Sequence, residues 1–162
     1  PRELGAEVTH VDLRDFRRPW SEGDREEAEG YPGAPGRLYA LMKEHAGLLL
    51  ACPEYNSSIT PLLKNTIDWV SRPRSGDGRL AAYQGKVATL LAASPGELGG
   101  LRGLVTVRSI LGNIGVTVLP TQVAVAKADK AFAEDGALID ESAAKRVAAA
   151  MATFVATVRK LA

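Results

Sequence analysis

Very little in this sequence can ligate a metal or form a disulfide. It holds one cysteine, Cys52, and two histidines, His10 and His45, among 162 residues. A single cysteine excludes an intramolecular disulfide framework and fits a reducing cytoplasm. One thiol, two distant imidazoles and scattered carboxylates do not assemble a zinc or iron site. Charge of one sign is also lacking: 20 basic and 19 acidic residues leave a net +1, so nothing points to nucleic acid or an acidic surface as partner. The longest basic cluster, Arg17-Arg18, reads as solvated surface. No apolar run approaches the ~20 residues of a membrane span. There is no Walker A pattern and no nucleophile elbow.

What is present is an alternation of strand and helix signals. Ala6, Val8 and Val11 among polar neighbours predict an edge strand over 6–13, with Gly5 as the cap of a helix before it. Residues 15–36 carry Pro19, Gly23, Gly30, Pro32, Gly33, Pro35 and Gly36. They predict a long loop, for which a functional lid and a surface excursion both fit. Leu38, Leu41 and Met42 mark a helix over 37–45, with His45 favourable at its negative end. The uncharged run Gly47 to Ala51 predicts a strand covered on both faces. Thr60 and Pro61 then open a helix as N-cap and first residue, with Leu62, Leu63, Ile67 and Val70 apolar, and Arg72-Pro73 ends it.

After a loop over 73–84, Lys86 to Ala93 predicts a second buried strand. A third loop, Ser94-Pro95-Gly96-Glu97-Leu98-Gly99-Gly100, leads into a helix over 101–112. Gly115 to Leu119 predicts a short strand closed by Pro120, and 121–137 read as loop with room for one further short extended piece. The final helix is capped by Asp140, with Val147, Met151, Phe154, Val158 and Leu161 as its packing stripe. There is no internal repeat and no second domain, so 1–162 is expected to be one α/β domain with a parallel sheet. Right-handed crossovers place the loops 53–58 and 94–100 on one rim, at the strands' carboxyl ends, where open α/β sheets bind ligands.

The chemistry of those loops leaves two readings open. Gly96, Gly99 and Gly100 permit close approach of main-chain N–H groups. Tyr55 offers a flat face, and Asn56, Ser57 and Ser94 offer donors and acceptors. That set suits a heteroaromatic ring with polar edges; it also suits ordinary turns. Cys52, at the end of a buried strand, reads as a small apolar filler rather than a nucleophile.

Pro53-Glu54-Tyr55-Asn56, followed by Leu63-Lys64-Asn65 and Ile67-Asp68-Trp69, resembles the NADPH-dependent FMN reductase family of flavodoxin-like quinone, chromate and azo-dye reductases. Ser94-Pro95-Gly96 with Gly99-Gly100-Leu101-Arg102 resembles that family's second flavin-contacting loop. The resemblance implies a three-layer sandwich of strand order 2-1-3-4-5 and one non-covalent FMN. Pro53, Glu54, Tyr55, Asn56 and Ser57 would lie along the ring, and Ser94, Pro95, Gly96, Gly99 and Gly100 would border its polar end. Arg72, Arg74, Arg79 and Arg102 are candidates for the phosphates of NADPH or NADH, with plain helix-end and surface charge as the other reading of the same residues. The flavin would carry the chemistry, with no side chain acting as acid or base, passing electrons to a quinone, chromate, azo compound or similar acceptor. The alternative is a flavin-binding electron-transfer or interaction module without efficient NADPH turnover. A cytoplasmic homodimer or homotetramer is implied, with the flavin near a subunit interface.

One departure stands out. The family opens with a strand, a phosphate-binding loop of the type G-S-x-R-x-x-S-x-N and a helix, none of which is found here. That strand would separate 6–13 from 47–51. A parallel sheet does not simply omit it, since each unpaired buried backbone group costs roughly 1–3 kcal/mol. The expectation is an N-terminally incomplete domain whose native chain extends upstream by on the order of 20 residues or more.

Overall fold

The computed structural model describes residues 1–16, 19–21, 24 and 33–161. Arg17-Arg18 and most of the expected 15–36 loop lie outside the described residues. The loop ends early: α1 spans Gly33–Glu44, so its first turn already includes Gly33, Pro35 and Gly36. Proline is tolerated there because the first helical N–H groups have no intrahelical partner.

β1, Gly47–Ala51, follows. Two short strands come next, β2 (Glu54–Tyr55) and β3 (Ser58–Ile59), and then α2, Pro61–Val70. Thr60 caps α2 as expected, accepting from Leu63 N at 3.2 Å. β4 is Val87–Ala93, α3 is Leu101–Asn113, β5 is Thr117–Val125, and α4 is Glu141–Leu161. Asp140 caps α4 by accepting from Ser142 N and Ala143 N.

β1, β4 and β5 form a parallel sheet in the order β1-β4-β5, and β2 and β3 form a separate antiparallel ribbon. The parallel order agrees with the last three places of the flavodoxin-like order. Successive residues of the central strand face opposite layers. Ala88, Leu90 and Ala92 pack with Leu38, Ile67, Val70, Leu104, Val107 and Leu111, so α1, α2 and α3 share one face. Val87 packs with Phe154 and Val155, and Leu91 with Ala150 and Met151, so α4 covers the other. α4 approaches β1 only at its start: a Cβ on Gly47 would stand 2.7 Å from Phe154 Cζ. Further along the same face Leu49 is 40% exposed. β1 is therefore not covered on both faces, as its composition predicts, because α4 lies over β4 and β5.

Two other expectations are corrected. Residues 6–12 form no strand; among the described residues nothing offers them a ladder, and they run between a short 3-10 turn at Arg2–Leu4 and another at Leu13–Asp15. Gly5 does act as a cap, at φ 72, but of the first of these turns. β5 does not stop at Pro120. The register shifts between Ala88 and Leu90, and an edge-strand irregularity is where a residue without an N–H can sit. Arg108 binds across it, donating to Val118 O at 3.3 Å and Gln122 Oε1 at 2.8 Å.

Candidate functional site

The carboxyl ends of β1, β4 and β5 lie side by side, and the chain leaves each in a loop tied to its neighbour. After β1, Cys52 N still donates to Leu91 O at 2.8 Å, and the chain then turns up into the β2–β3 ribbon. Glu54 pairs with Ile59 and Tyr55 with Ser58. The two residues between, Asn56 and Ser57, have φ of 49° and 67°. Two consecutive left-handed residues joining antiparallel strands make a type I′ turn, which fits the twist of a hairpin. Asn-Gly is the usual signal for such a turn. Here a serine holds the second place, which explains why the segment reads as plain loop. Tyr55 ends up 61% exposed on this ribbon.

Glu54 fastens the ribbon to α3. Its Oε2 accepts from Gly103 N at 2.9 Å and its Oε1 from Arg102 NH2 at 2.8 Å. The N-cap of α3 is Gly100, at φ 89, which has no side chain to accept from the first-turn amides. Glu54 supplies that acceptor from across the rim, a capping role performed by a distant carboxylate. Its side chain is 9% exposed. The Gly103 hydrogen bond, then the Arg102 guanidinium, holds its carboxyl below the usual carboxylate range. The Glu54 carboxylate is therefore engaged within the protein.

The loop 94–100 is folded on itself and on β5. Ser94 Oγ accepts from Gly96 N at 3.3 Å, and Ser94 N donates to Val125 O at 3.1 Å. Gly99, at φ 60, lies so close to β5 that a Cβ would stand 2.6 Å from the Val125 carbonyl carbon, and one on Gly100 would stand 2.9 Å from Ala92 Cβ. Those two glycines are needed by the chain itself. Gly96 is different: a Cβ there would meet only Ser94 Oγ, at 3.7 Å. Gly96 and Pro95 are exposed, so this backbone is open to a ligand.

A third loop joins the rim; it lies within the stretch 121–137 read as loop, but nothing in the sequence placed it here. Ala128 N donates to Ser94 O at 3.0 Å and Lys127 N to Gly96 O at 3.4 Å. Lys127 is left-handed, at φ 51, and its Nζ pairs with Glu97 at 3.3 Å. A non-glycine residue in that region was the available signal only once the backbone was known.

The four arginines separate. Arg102 is at the rim, paired with Glu54. Arg72, Arg74 and Arg79 follow the carboxyl end of α2, which runs from the rim to the opposite edge of the sheet; ten helical residues span about 15 Å. Arg72 Nε lies 3.4 Å from Asp68 O. The Arg74 guanidinium stacks 4.6 Å above the Tyr39 ring, whose hydroxyl donates to Asp77 at 2.7 Å. Lys43 also pairs with Asp77. The structure does not bring Arg72, Arg74 or Arg79 to the loops 53–58 and 94–100.

Other candidates resolve into packing. Cys52 is 1% exposed and burial pushes its thiol up to about 12. His45 bridges Leu41 O and Thr9 Oγ1, each at 2.8 Å; because a carbonyl only accepts, Nδ1 carries the proton. Asn65 and Trp69, from the segments Leu63-Lys64-Asn65 and Ile67-Asp68-Trp69, hold a distant strap. Asn65 Nδ2 and Trp69 Nε1 both donate to Pro19 O, at 3.0 and 2.8 Å, and Ser21 N donates to Asn65 Oδ1 at 2.8 Å. No group of three or more metal-ligating side chains occurs among the described residues, and no described helix is long and apolar enough to cross a membrane.

A parallel α/β sheet with helices on both faces and its strand-end loops gathered on one rim is an architecture of the flavodoxin-like kind. The chain belongs to the NADPH-dependent FMN reductase family, whose profile it matches over residues 1–130. It is 34% identical over 135 residues to an NAD(P)H-dependent FMN reductase of Pseudomonas aeruginosa, covering 83% of this chain and 70% of that protein. It is 31% identical over 160 residues to an NAD(P)H:quinone oxidoreductase of Solanum tuberosum, covering 97% and 78%. Among solved structures, FerB, a flavoenzyme NAD(P)H:(acceptor) oxidoreductase from Paracoccus denitrificans, superposes with a TM-score of 0.77 at 27% identity, covering 92% of this chain and 78% of that one.

Proposed function

We propose that this chain is an FMN-dependent NAD(P)H oxidoreductase that reduces a quinone or a similar acceptor. The observation that carries the reading is the joining of two rim loops. The Glu54–Gly103 hydrogen bond sets exposed Tyr55 and the Asn56-Ser57 turn on the same rim as the open backbone at Gly96. A flat ring with polar edges suits these groups: an aromatic face, a tight polar turn and an exposed main chain at Gly96. When bound, FMN supplies the redox chemistry, taking hydride from NAD(P)H and passing electrons to the acceptor. The chain's part is to orient the ring. Pro53 and Tyr55 to Ser57 line one side, with the Glu54 side chain turned away to Gly103, and Ser94 to Gly96 line the other, with Gly99 and Gly100 holding that loop against the sheet.

We read the chain as one domain, cytoplasmic on the strength of its lone buried thiol, and as a homodimer or homotetramer by analogy with the family. Acceptor choice among quinones, azo compounds and chromate is part of the test. NADPH oxidation is measured in the presence of FMN with each acceptor. Turnover with a quinone supports the reading, and FMN binding without turnover favours an electron-transfer module. One observation speaks for that second reading: Arg72, Arg74 and Arg79 follow the end of α2 that points away from the two loops, and Arg102 is paired with Glu54.

A further inference from the structure

The geometry points to Glu54 and Arg102 as an opposed charge pair that sets how strongly this rim favours reduced over oxidised FMN. Glu54 does so without touching the ring, through the helix terminus it caps. This rests on the flavin reading above and adds a role for both side chains that ring contact alone does not require.

A helix amino terminus presents unsatisfied N–H groups and a partial positive charge. Beside a flavin it would stabilise the electrons gained on reduction. In this structure the α3 terminus is met from inside by the Glu54 carboxylate, at 2.9 Å from Gly103 N. Its position is close to the rim loop: a Cβ on Gly100 would stand 3.6 Å from Glu54 Cβ, and one on Gly103 3.4 Å from it. The residue after Glu54 is Tyr55. The carboxylate thus stands behind both loops, where its negative charge opposes reduction. Arg102, with Nε at 3.2 Å and NH2 at 2.8 Å from Oε1, offsets that charge. Its side chain is 55% exposed against 9% for Glu54, so the cation is the better screened member of the pair. Removing either partner unbalances the rim in opposite senses.

The test uses the full chain loaded with FMN and no nicotinamide present. Flavin potential is read by equilibration with redox dyes, and oxidised FMN affinity by fluorescence titration. Glu54→Gln keeps an oxygen for Gly103 N and deletes the charge. At a protein-like dielectric a unit charge within about 10 Å changes the preference for reduced flavin about tenfold, equal to about 30 mV for a two-electron couple. E54Q is expected to raise the potential by that amount. Arg102→Gln, at an exposed position, is expected to lower it by less, and the double variant to fall between the two single variants. A purely structural role would weaken oxidised and reduced FMN together, or move both variants the same way. Shifts of the same sign, or potentials unchanged in both variants that still bind FMN, overturn the proposal. Absence of FMN binding by the unmutated chain overturns the flavin reading itself, and the proposal with it. If E54Q fails to fold, the sign of the R102Q shift decides.

Discussion

Replacing Gly99 by alanine tests how the rim is built. The added Cβ would stand 2.6 Å from the Val125 carbonyl carbon, 2.7 Å from Ala126 N and 2.9 Å from Val125 N. All three are main-chain atoms at the end of β5, so no rotamer change relieves the contact; the loop must lift off the sheet. Overpacking of this kind costs about 1–3 kcal/mol. Holding alanine at the left-handed φ of 60 adds about 1 kcal/mol. The sum, about 2–4 kcal/mol, is a sizeable part of the ~5–15 kcal/mol that stabilises a typical domain. The lift also separates Ser94 and Gly96 from the third loop, which they meet through Ser94 O and Gly96 O. G99A should therefore lower the urea midpoint and weaken FMN binding more than tenfold. Gly112→Ala is the control: it is helical with no atom within 4 Å of its Cβ, and should be neutral or stabilising by up to about 1 kcal/mol. G99A with parental stability and parental FMN affinity would refute the packing argument.

Asn65→Ala leaves Ser21 N without its acceptor and Pro19 O with Trp69 alone. It should cost about 1–3 kcal/mol and raise acrylamide quenching of Trp20, already 63% exposed; unchanged quenching would show that the strap is held by other means. Glu54 and Asp77 both have carboxyls lowered in the fold, by the Gly103 hydrogen bond and by Lys43 respectively. Their stabilisation is fully present above the unfolded values near ~4 and is lost as pH falls through the folded ones. Urea midpoints from neutral pH downwards should hold level and then drop, and the drop should be shallower in an E54Q/D77N variant; an identical acid limb contradicts the assignment. Cys52, buried and with its thiol pushed up to about 12, should resist thiol reagents at pH 8 in the native state and react fully once denatured. Rapid native labelling would place it elsewhere.

The elements built from local pattern were readable. β1 begins and ends where its uncharged run does, and α2 starts at the residue its Thr-Pro pair indicates. Beyond the early start of α1 and the tight turn at Asn56-Ser57, the departures involve partners distant in sequence. The alternation at 6–12 was present, but a strand exists only if another lies beside it. Pro120 looked like a terminator because its tolerance depends on a register shift against β4. The site divides in the same way. Two of its loops were visible as turn residues after strands, and their residues do meet on one rim. The third loop, at 126–128, carries no turn signature. The engagement of Glu54 with Gly103 spans nearly fifty residues of sequence, and no spacing rule reports it. The arginines were selected by charge alone, and the length of α2 carries three of them away from the two loops.

On this account the rim holds a flavin ring. The most direct measurement is an equilibrium titration of the chain with FMN, followed by stoichiometric NADPH and then a quinone under anaerobic conditions. Saturable one-to-one binding, weakened by Tyr55→Ala and by G99A, with flavin absorbance lost on NADPH and restored by the quinone, is the predicted result. FMN that remains free at micromolar protein, or binds equally well to both variants, would contradict it.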